Sequence, residues 1–277
     1  MKRTLLSLLG AAGMAGSAHS AVITPQTIDY GEVSGIPTTT VDNLGVQHLL
    51  WSKVTEVMYS NSADNFNNLL PFGYVHGTRD FSNLAMTFDN NGNVHVAYNV
   101  YSISKEKWET HYTNSTDWNA RFLEMGNSTE NVDVKALSDG RVVVVGQRPT
   151  GSQGMNLVLA TSVPSPEGWW YPPANYDTFD YRELNQSADQ SNPRMVIDSK
   201  DNIHLAYRDW SDGNGKVKYR SSLDDFASEE TISSAPQSYG HDMALDSNGN
   251  VWVSYKDTRN IIDGSDSSQS ADIFLAD

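Results

Sequence analysis

The chain has 277 residues with 34 acidic and 19 basic side chains, a net charge of −15. That excess of negative charge argues against nucleic acid and against anionic membrane surfaces as partners. Cysteine is absent, so disulfides and thiolate metal sites are excluded and the fold must stand on packing alone.

The chain opens with the basic MKRT, an apolar run LLSLLGAAGMAG, and small residues around AHS. This pattern predicts a signal peptide over residues 1–20, cleaved near Ser20–Ala21, and a secreted, extracellular or periplasmic protein. The apolar run is short for a bilayer span, and no later segment approaches the ~20 apolar residues required. About 257 residues remain, enough for one large domain or two small ones.

A ten-residue phrase then returns along the chain. DNLGVQHLLW (42–51) is followed by DNNGNVHVAY (89–98), a weaker LSDGRVVVVG (137–146), DSKDNIHLAY (198–207) and DSNGNVWVSY (246–255). Successive starts are 47, 48, 61 and 48 residues apart. In each copy Asp and Asn or Gly residues supply tight-turn chemistry between two apolar strands, so each copy predicts a β-hairpin. A third strand follows: VMYSNS (57–62), THYTNS (110–115), LVLATS (157–162), VKYRSS (217–222) and DIFLAD (272–277). Several of these lead into Ser-x-Asp and an aromatic, and a segment such as ARFLE (120–124) supplies a fourth strand.

Four antiparallel strands every ~45–50 residues predict an all-β chain, a β-propeller with five repeats visible. The domain is expected to run over 21–277, and its fifth unit stops at its third strand, which raises the question of an incomplete C-terminal end. Two readings of that ending stay open. AVITPQTIDY (21–30) can add the missing outer strand and close a five-bladed ring, or the chain is a piece of a longer propeller, such as a seven-bladed one. Residues 21–31 match the outer-strand pattern poorly, which favours the second.

Repetition sorts the histidines. His48, His95, His204 and Trp252 share one position of the phrase. A packing residue is needed in every blade, whereas a catalytic one is needed once, so the three histidines are read as structural. His76, His111 and His241 do not recur. On the first strand of each hairpin one alternating set is apolar: Met86, Val134, Met195, Met243, then Phe88, Ala136, Ile197, Leu245. The other set includes Asp133, Lys135, Arg194 and Asp242. In a propeller the first strand lines the central channel, where charge costs desolvation unless it pairs or meets a ligand. Asp133, Lys135, Arg194 and Asp242, with the adjacent His241, therefore form the candidate site; the alternative is an ion-pair network that only staples blades together.

The third interval is the long one. Its extra length falls near 163–190, VPSPEGWWYPPANYDTFDYRELNQSADQ, rich in Trp, Tyr and Pro. A Pro-stiffened aromatic loop on a propeller rim suits a binding role. Trp169, Trp170, Tyr171, Tyr176 and Tyr181 are candidates for stacking on sugar faces, and Tyr176 or Tyr181 for carrying a phenol to the channel mouth.

The Ser-x-Asp segments resemble degenerate forms of the turn motif of sialidase-type propellers. A sialidase needs an Arg-Ile-Pro near its start, however, and GIPTTT (35–40) has Gly where the Arg belongs. The phrases NVHVAYNVYS, QSNPRMVIDSKDNIHLAYRDW and GHDMALDSNGNVWVSYKDTRN resemble the secreted β-propeller polysaccharide lyases of the ulvan lyase type over most of 80–260. That resemblance implies β-elimination on an acidic, uronate-containing polysaccharide. Arg194 would neutralise the uronate carboxylate, and Tyr176 (or Tyr181) and His111 (or His241) would handle protons. The hub charges Asp133, Lys135 and Asp242 and the loop aromatics Trp169, Trp170 and Tyr181 are the candidates for binding substrate. Asn83 and Tyr101 stand where such lyases often carry His. No cofactor is required by this chemistry; some of those lyases hold a structural calcium or zinc, for which no ligand cluster is assigned here. A monomer is expected. The alternatives are a glycoside hydrolase using Asp133 and Asp242 as its two carboxylates, and a non-catalytic sugar-binding propeller.

Overall fold

A computed structural model describes residues 34–42, 44–53, 56–67, 70–72, 78–116, 121–123, 125, 131–149, 154–163, 179–184, 189–233, 238–257 and 272–276. The leader at 1–20, the segment 21–30, His76, Trp169, Trp170, Tyr171 and Tyr176 lie outside the described residues.

Among the described residues the strands form five antiparallel sheets in chain order. The first holds β1 (Ser34–Val41), β2 (Gln47–Ser52), β3 (Val57–Asn61) and β4 (Leu70–Phe72). The second holds β5 (Thr78–Phe88), β6 (Val94–Ser102), β7 (Lys107–Asn114) and β8 (Arg121–Leu123). The third holds β9 (Asp133–Ala136), β10 (Val142–Pro149), β11 (Met155–Ser162) and β12 (Phe179–Glu183). In the fourth are β13 (Gln190–Ile197), β14 (Ile203–Asp209), β15 (Lys216–Ser221) and β16 (Glu230–Thr231). The fifth comprises β17 (Tyr239–Leu245), β18 (Val251–Asp257) and β19 (Asp272–Ala276). Each first strand lies beside the next, β1 with β5, β5 with β9, β9 with β13 and β13 with β17. The sheets are thus blades of a β-propeller around a hub of first strands. No helix among the described residues is long and apolar enough to cross a membrane.

Strict alternation along each strand gives a blade two apolar faces, one for each neighbour. Val96 and Tyr98 pack with Leu50 and Tyr59 of the blade before, while Ala97 and Tyr112 pack with Val142 and Val144 of the blade after. Val143 and Val145 meet Leu205 and Tyr207, and Ala206 and Val217 meet Val253 and Tyr255. Met86, Val134, Met195 and Met243 fall one to each of these four interfaces, so the apolar set of the first strands packs blade to blade.

The hairpin phrase has a physical explanation in three contacts. The turn aspartate, Asp42, Asp89 or Asp198, accepts the backbone N–H groups two and four residues on. The histidine accepts the tyrosine O–H of the third strand at Nδ1: His48 from Tyr59, His95 from Tyr112 and His204 from Tyr219, all at 2.6 Å. Its Nε2 faces the turn aspartate at 3.2–3.6 Å. In the third blade all three positions change together, to Leu137, Val143 and Leu159, which sit in one apolar cluster. In the fifth, Trp252 replaces the histidine and directs its indole N–H toward Asp246 Oδ2 at 3.5 Å; strand register puts Leu275 at the tyrosine position. The Asp–His–Tyr set is therefore a polar brace within the blade, replaced whole in the third blade and in its His–Tyr pair in the fifth.

Two Ser-x-Asp segments form 3-10 turns, Ser62–Asp64 and Ser222–Asp224. Each is followed by two left-handed residues, Asn65 and Phe66, or Asp225 and Phe226. This folds the aromatic ring back under the blade, where Phe226 joins the core shared by the third and fourth blades.

Candidate functional site

A β-bulge near the start of most first strands builds the hub. In β5 the pairing steps from Ser82↔Asn99 to Ala85↔Ala97, in β13 from Ser191↔Arg208 to Arg194↔Ala206, and in β17 from Tyr239↔Lys256 to Asp242↔Ser254. Each inserts one extra residue, and the second residue of the step is left-handed: Asn83 at φ 51°, Asn192 at 54° and Gly240 at 60°. Asn and Gly are the residues that tolerate this conformation. The bulge resets the alternation so that the residue pairing with the middle of the second strand faces the hub. That position reads Thr38, Ala85, Asp133, Arg194 and Asp242 around the five blades.

These side chains surround a cavity of about 380 Å³ lined by Thr38, Thr40, Asn83, Asp133, Arg194 and Asp242, with Lys135 and Asn131 completing its charged side. The structure thus brings Asp133, Lys135, Arg194 and Asp242 into one cavity. Among the described residues that line it, charge falls on the third, fourth and fifth blades, and the first two offer hydroxyls and an amide.

The four charged groups differ in how firmly they are held. Asp133 Oδ1 accepts from Val134 N and from Lys135 Nζ, both at 2.8 Å, and Oδ2 accepts from Met195 N of the next blade at 2.9 Å. This carboxylate staples two blades and faces the cavity as well. Arg194 is looser. Its Nη1 donates to the carbonyl of Pro193 at 3.3 Å, and Nε lies 3.9 Å from Asp242 Oδ1, beyond hydrogen-bond range. The Asp242 side chain is 77% exposed, and its Oδ1 accepts from Met243 N. An Asp–Arg–Asp row on three adjacent strands thus offers one planar cation and two carboxylates to a ligand.

The remaining candidates sit elsewhere. His111 is on β7, two strands out from the hub. It stacks on Tyr98 with ring centroids 5.7 Å apart, and its Nε2 is 3.4 Å from Glu109 Oε2. Burial lowers its pKa, with Glu109 opposing. Tyr181 is on β12, the outermost strand of the third blade, and is exposed. His241 lies directly behind the cavity wall. It is 6% exposed and its Nε2 donates to the carbonyl of Ala206 at 3.3 Å. Burial first, then the charges of Arg194 and Arg208, lower its pKa to about 4. Sequence reasoning missed the hub neighbours Thr38, Thr40, Asn83 and Asn131. The left-handed bulge that aims such residues inward is signalled only by an Asn or Gly two residues before the hub position. Among the described residues no cluster of three His, Asp or Glu groups suits a metal ion.

No protein-family model matches the chain, and no curated protein matches it. Solved structures do. An α-L-arabinanase from Penicillium chrysogenum, complexed with arabinobiose, aligns over 82% of this chain and 76% of its own at 10% identity, TM-score 0.55. A protein of unknown function from Dyadobacter fermentans aligns over the same shares at 10% identity, TM-score 0.53. A GH93 α-L-arabinofuranosidase from Fusarium graminearum, also complexed with arabinobiose, aligns over 82% and 75% at 12% identity, TM-score 0.50. At such identities the likeness is one of fold, and the fold that this chain shares with them is the β-propeller.

Proposed function

We propose that this chain is a carbohydrate-active propeller that hydrolyses glycosidic bonds at its hub cavity. The observation that carries the reading is the Asp133–Arg194–Asp242 row, one residue from each of three adjacent first strands, facing one sugar-sized space. Glycoside hydrolysis needs two carboxyl groups on either side of the scissile bond, one to protonate the leaving oxygen and one to activate water or attack. Asp133, fixed by two backbone N–H groups and Lys135, suits the base or nucleophile. Asp242, exposed until a sugar covers it, suits the acid. The arabinan-active enzymes among the fold neighbours support this class of chemistry.

A second reading is β-elimination on a uronate-containing, ulvan-like polysaccharide. Arg194 favours it, because a guanidinium whose nearest carboxylate among the described residues, Asp242, stands 3.9 Å away can take a sugar carboxylate in a two-point grip and stabilise an enolate-like transition state. Against it, neither His111 nor His241 lines the cavity.

One assay separates the two. The protein is incubated with arabinan, xylan and a panel of acidic polysaccharides, and the products are weighed and scanned in the ultraviolet. Saturated products, lost in Asp133→Asn and Asp242→Asn, support hydrolysis. Unsaturated uronate products, lost in Arg194→Ala, move the assignment to a lyase. Binding without any cleavage leaves a sugar-binding propeller.

A further inference from the structure

One position of the hub bulge breaks the repeat. The residue just before the hub-facing one is Pro37, Leu84, Val132, Pro193 and His241 in the five blades. Leu84, Val132 and Pro193 are buried there, as an apolar wedge requires. His241 is buried too, yet it is a titratable ring in a slot that needs only bulk. Packing alone does not explain the exchange, since any of the other residue types fills the slot.

Its hydrogen bonds suggest what it does. The Nε2–H reaches across the blade interface to the carbonyl of Ala206, and Ala206 is the cross-strand partner of Arg194. The ring also lies beside the backbone of Asn192, the left-handed residue two positions before Arg194. One side chain from the neighbouring blade therefore holds the strand opposite Arg194 and backs the bulge that aims it. Asn192 is further tied by Asn131, whose Nδ2 donates to its Oδ1 at 2.8 Å. Two charged groups act on the ring, Arg194 and Arg208, both cationic, and they favour its neutral form.

We propose that His241 is a positioning residue for Arg194: by gripping the carbonyl of Ala206, and by filling the space behind the bulge at Asn192, it sets the direction in which the guanidinium meets an anionic sugar group in the hub. The proposal rests on the hub cavity being the sugar site, and it deepens that reading by assigning the anion grip of Arg194 to a device built across two blades. His241 does not touch the ligand.

The test reads the aim of Arg194 directly. The Nε–H resonance of Arg194 is followed by nitrogen–proton NMR in the wild-type protein, in His241→Leu and in His241→Gln, and glucuronate is titrated into each with glucose as the neutral control. Leucine keeps the bulk and removes the donor; glutamine places an amide N–H near the position of Nε2. Expected is a shifted and broadened Arg194 signal in the leucine variant, restored by glutamine. Glucuronate affinity should fall about tenfold in the leucine variant and stay within about threefold in the glutamine variant. An Arg194 resonance unmoved by His241→Leu would overturn the proposal, as would equal losses in both variants. Should both variants fail to fold, Arg194→Gln serves instead: the titration of the His241 ring must then move upward relative to wild type, and an unmoved ring refutes the coupling. If the wild-type protein binds no glucuronate while the Arg194 signal still follows His241, the sugar reading fails and the positioning role stands.

Discussion

The exchange of Asp–His–Tyr for Leu–Val–Leu in the third blade makes a quantitative prediction for the second. His95 and Tyr112 are 6% and 1% exposed, and their hydrogen bond is 2.6 Å long. Replacing either one alone removes a buried polar partner from the other, which costs about 1–3 kcal/mol for the abandoned group. Some packing is lost as well, since the Tyr112 ring meets Phe179 edge-on at 5.3 Å. His95→Val and Tyr112→Leu should each destabilise the protein by about 2–3 kcal/mol. Together they recreate the pair already present as Val143 and Leu159, and the double variant should lose less than the sum by about 1–2 kcal/mol. Urea unfolding of the four proteins, followed by intrinsic fluorescence, measures this coupling. Additivity within about 0.5 kcal/mol would refute the brace. A His95→Val protein of full stability that no longer cleaves its substrate would return the repeated histidines to chemistry.

The other predictions concern the hub. Arg194→Gln should weaken a uronate-bearing oligosaccharide by about ten- to a hundredfold in calorimetry, the worth of a charge-assisted bond, and leave a neutral one nearly unchanged. Asp133→Ala should cost about 2–3 kcal/mol in urea unfolding because the N–H of Met195 loses its acceptor. Lys135→Ala, which keeps both backbone bonds, should cost under about 1 kcal/mol. His241 should leave a mark on acid stability. Its ring takes a proton near 6.5 when unfolded and near 4 when folded, so its contribution is whole above pH 6.5 and is lost as pH falls through 4. The loss amounts to about 3 kcal/mol. The stability difference between wild type and His241→Gln should therefore shift by that amount in favour of the variant between pH 7 and pH 4, measured by paired denaturant titrations; a pH-independent difference would remove the buried, neutral imidazole from the account.

The blades were legible in the sequence because a propeller repeats its instructions. Turn aspartates, alternating strands and a constant spacing recur often enough to be compared, and the comparison marked His48, His95 and His204 as structural. It also picked out Asp133, Lys135, Arg194 and Asp242, since charge on a hub strand stands out against apolar neighbours. What stayed hidden depends on contacts far apart in sequence. The tyrosine partners of the histidines lie 11 to 17 residues on, and their covariation with the histidines becomes visible only once strand register is known. His111 reads as an isolated histidine in a promising strand, yet the position it fills is a blade face that also accommodates Met58, Val158 and Lys218. His241 reads as a neighbour of the hub, and only the bulge reveals that it points into the wall.

The inward-facing residue supplied by each blade makes the hub modular. Thr38, Ala85, Asp133, Arg194 and Asp242 occupy like backbone sockets, so swapping letters among them relocates charge around the axis. Thr38, Arg194 and Asp242 are the letters free to change, whereas Asp133 also ties two blades through Met195 N and Ala85 is packed into the seam between the second and third.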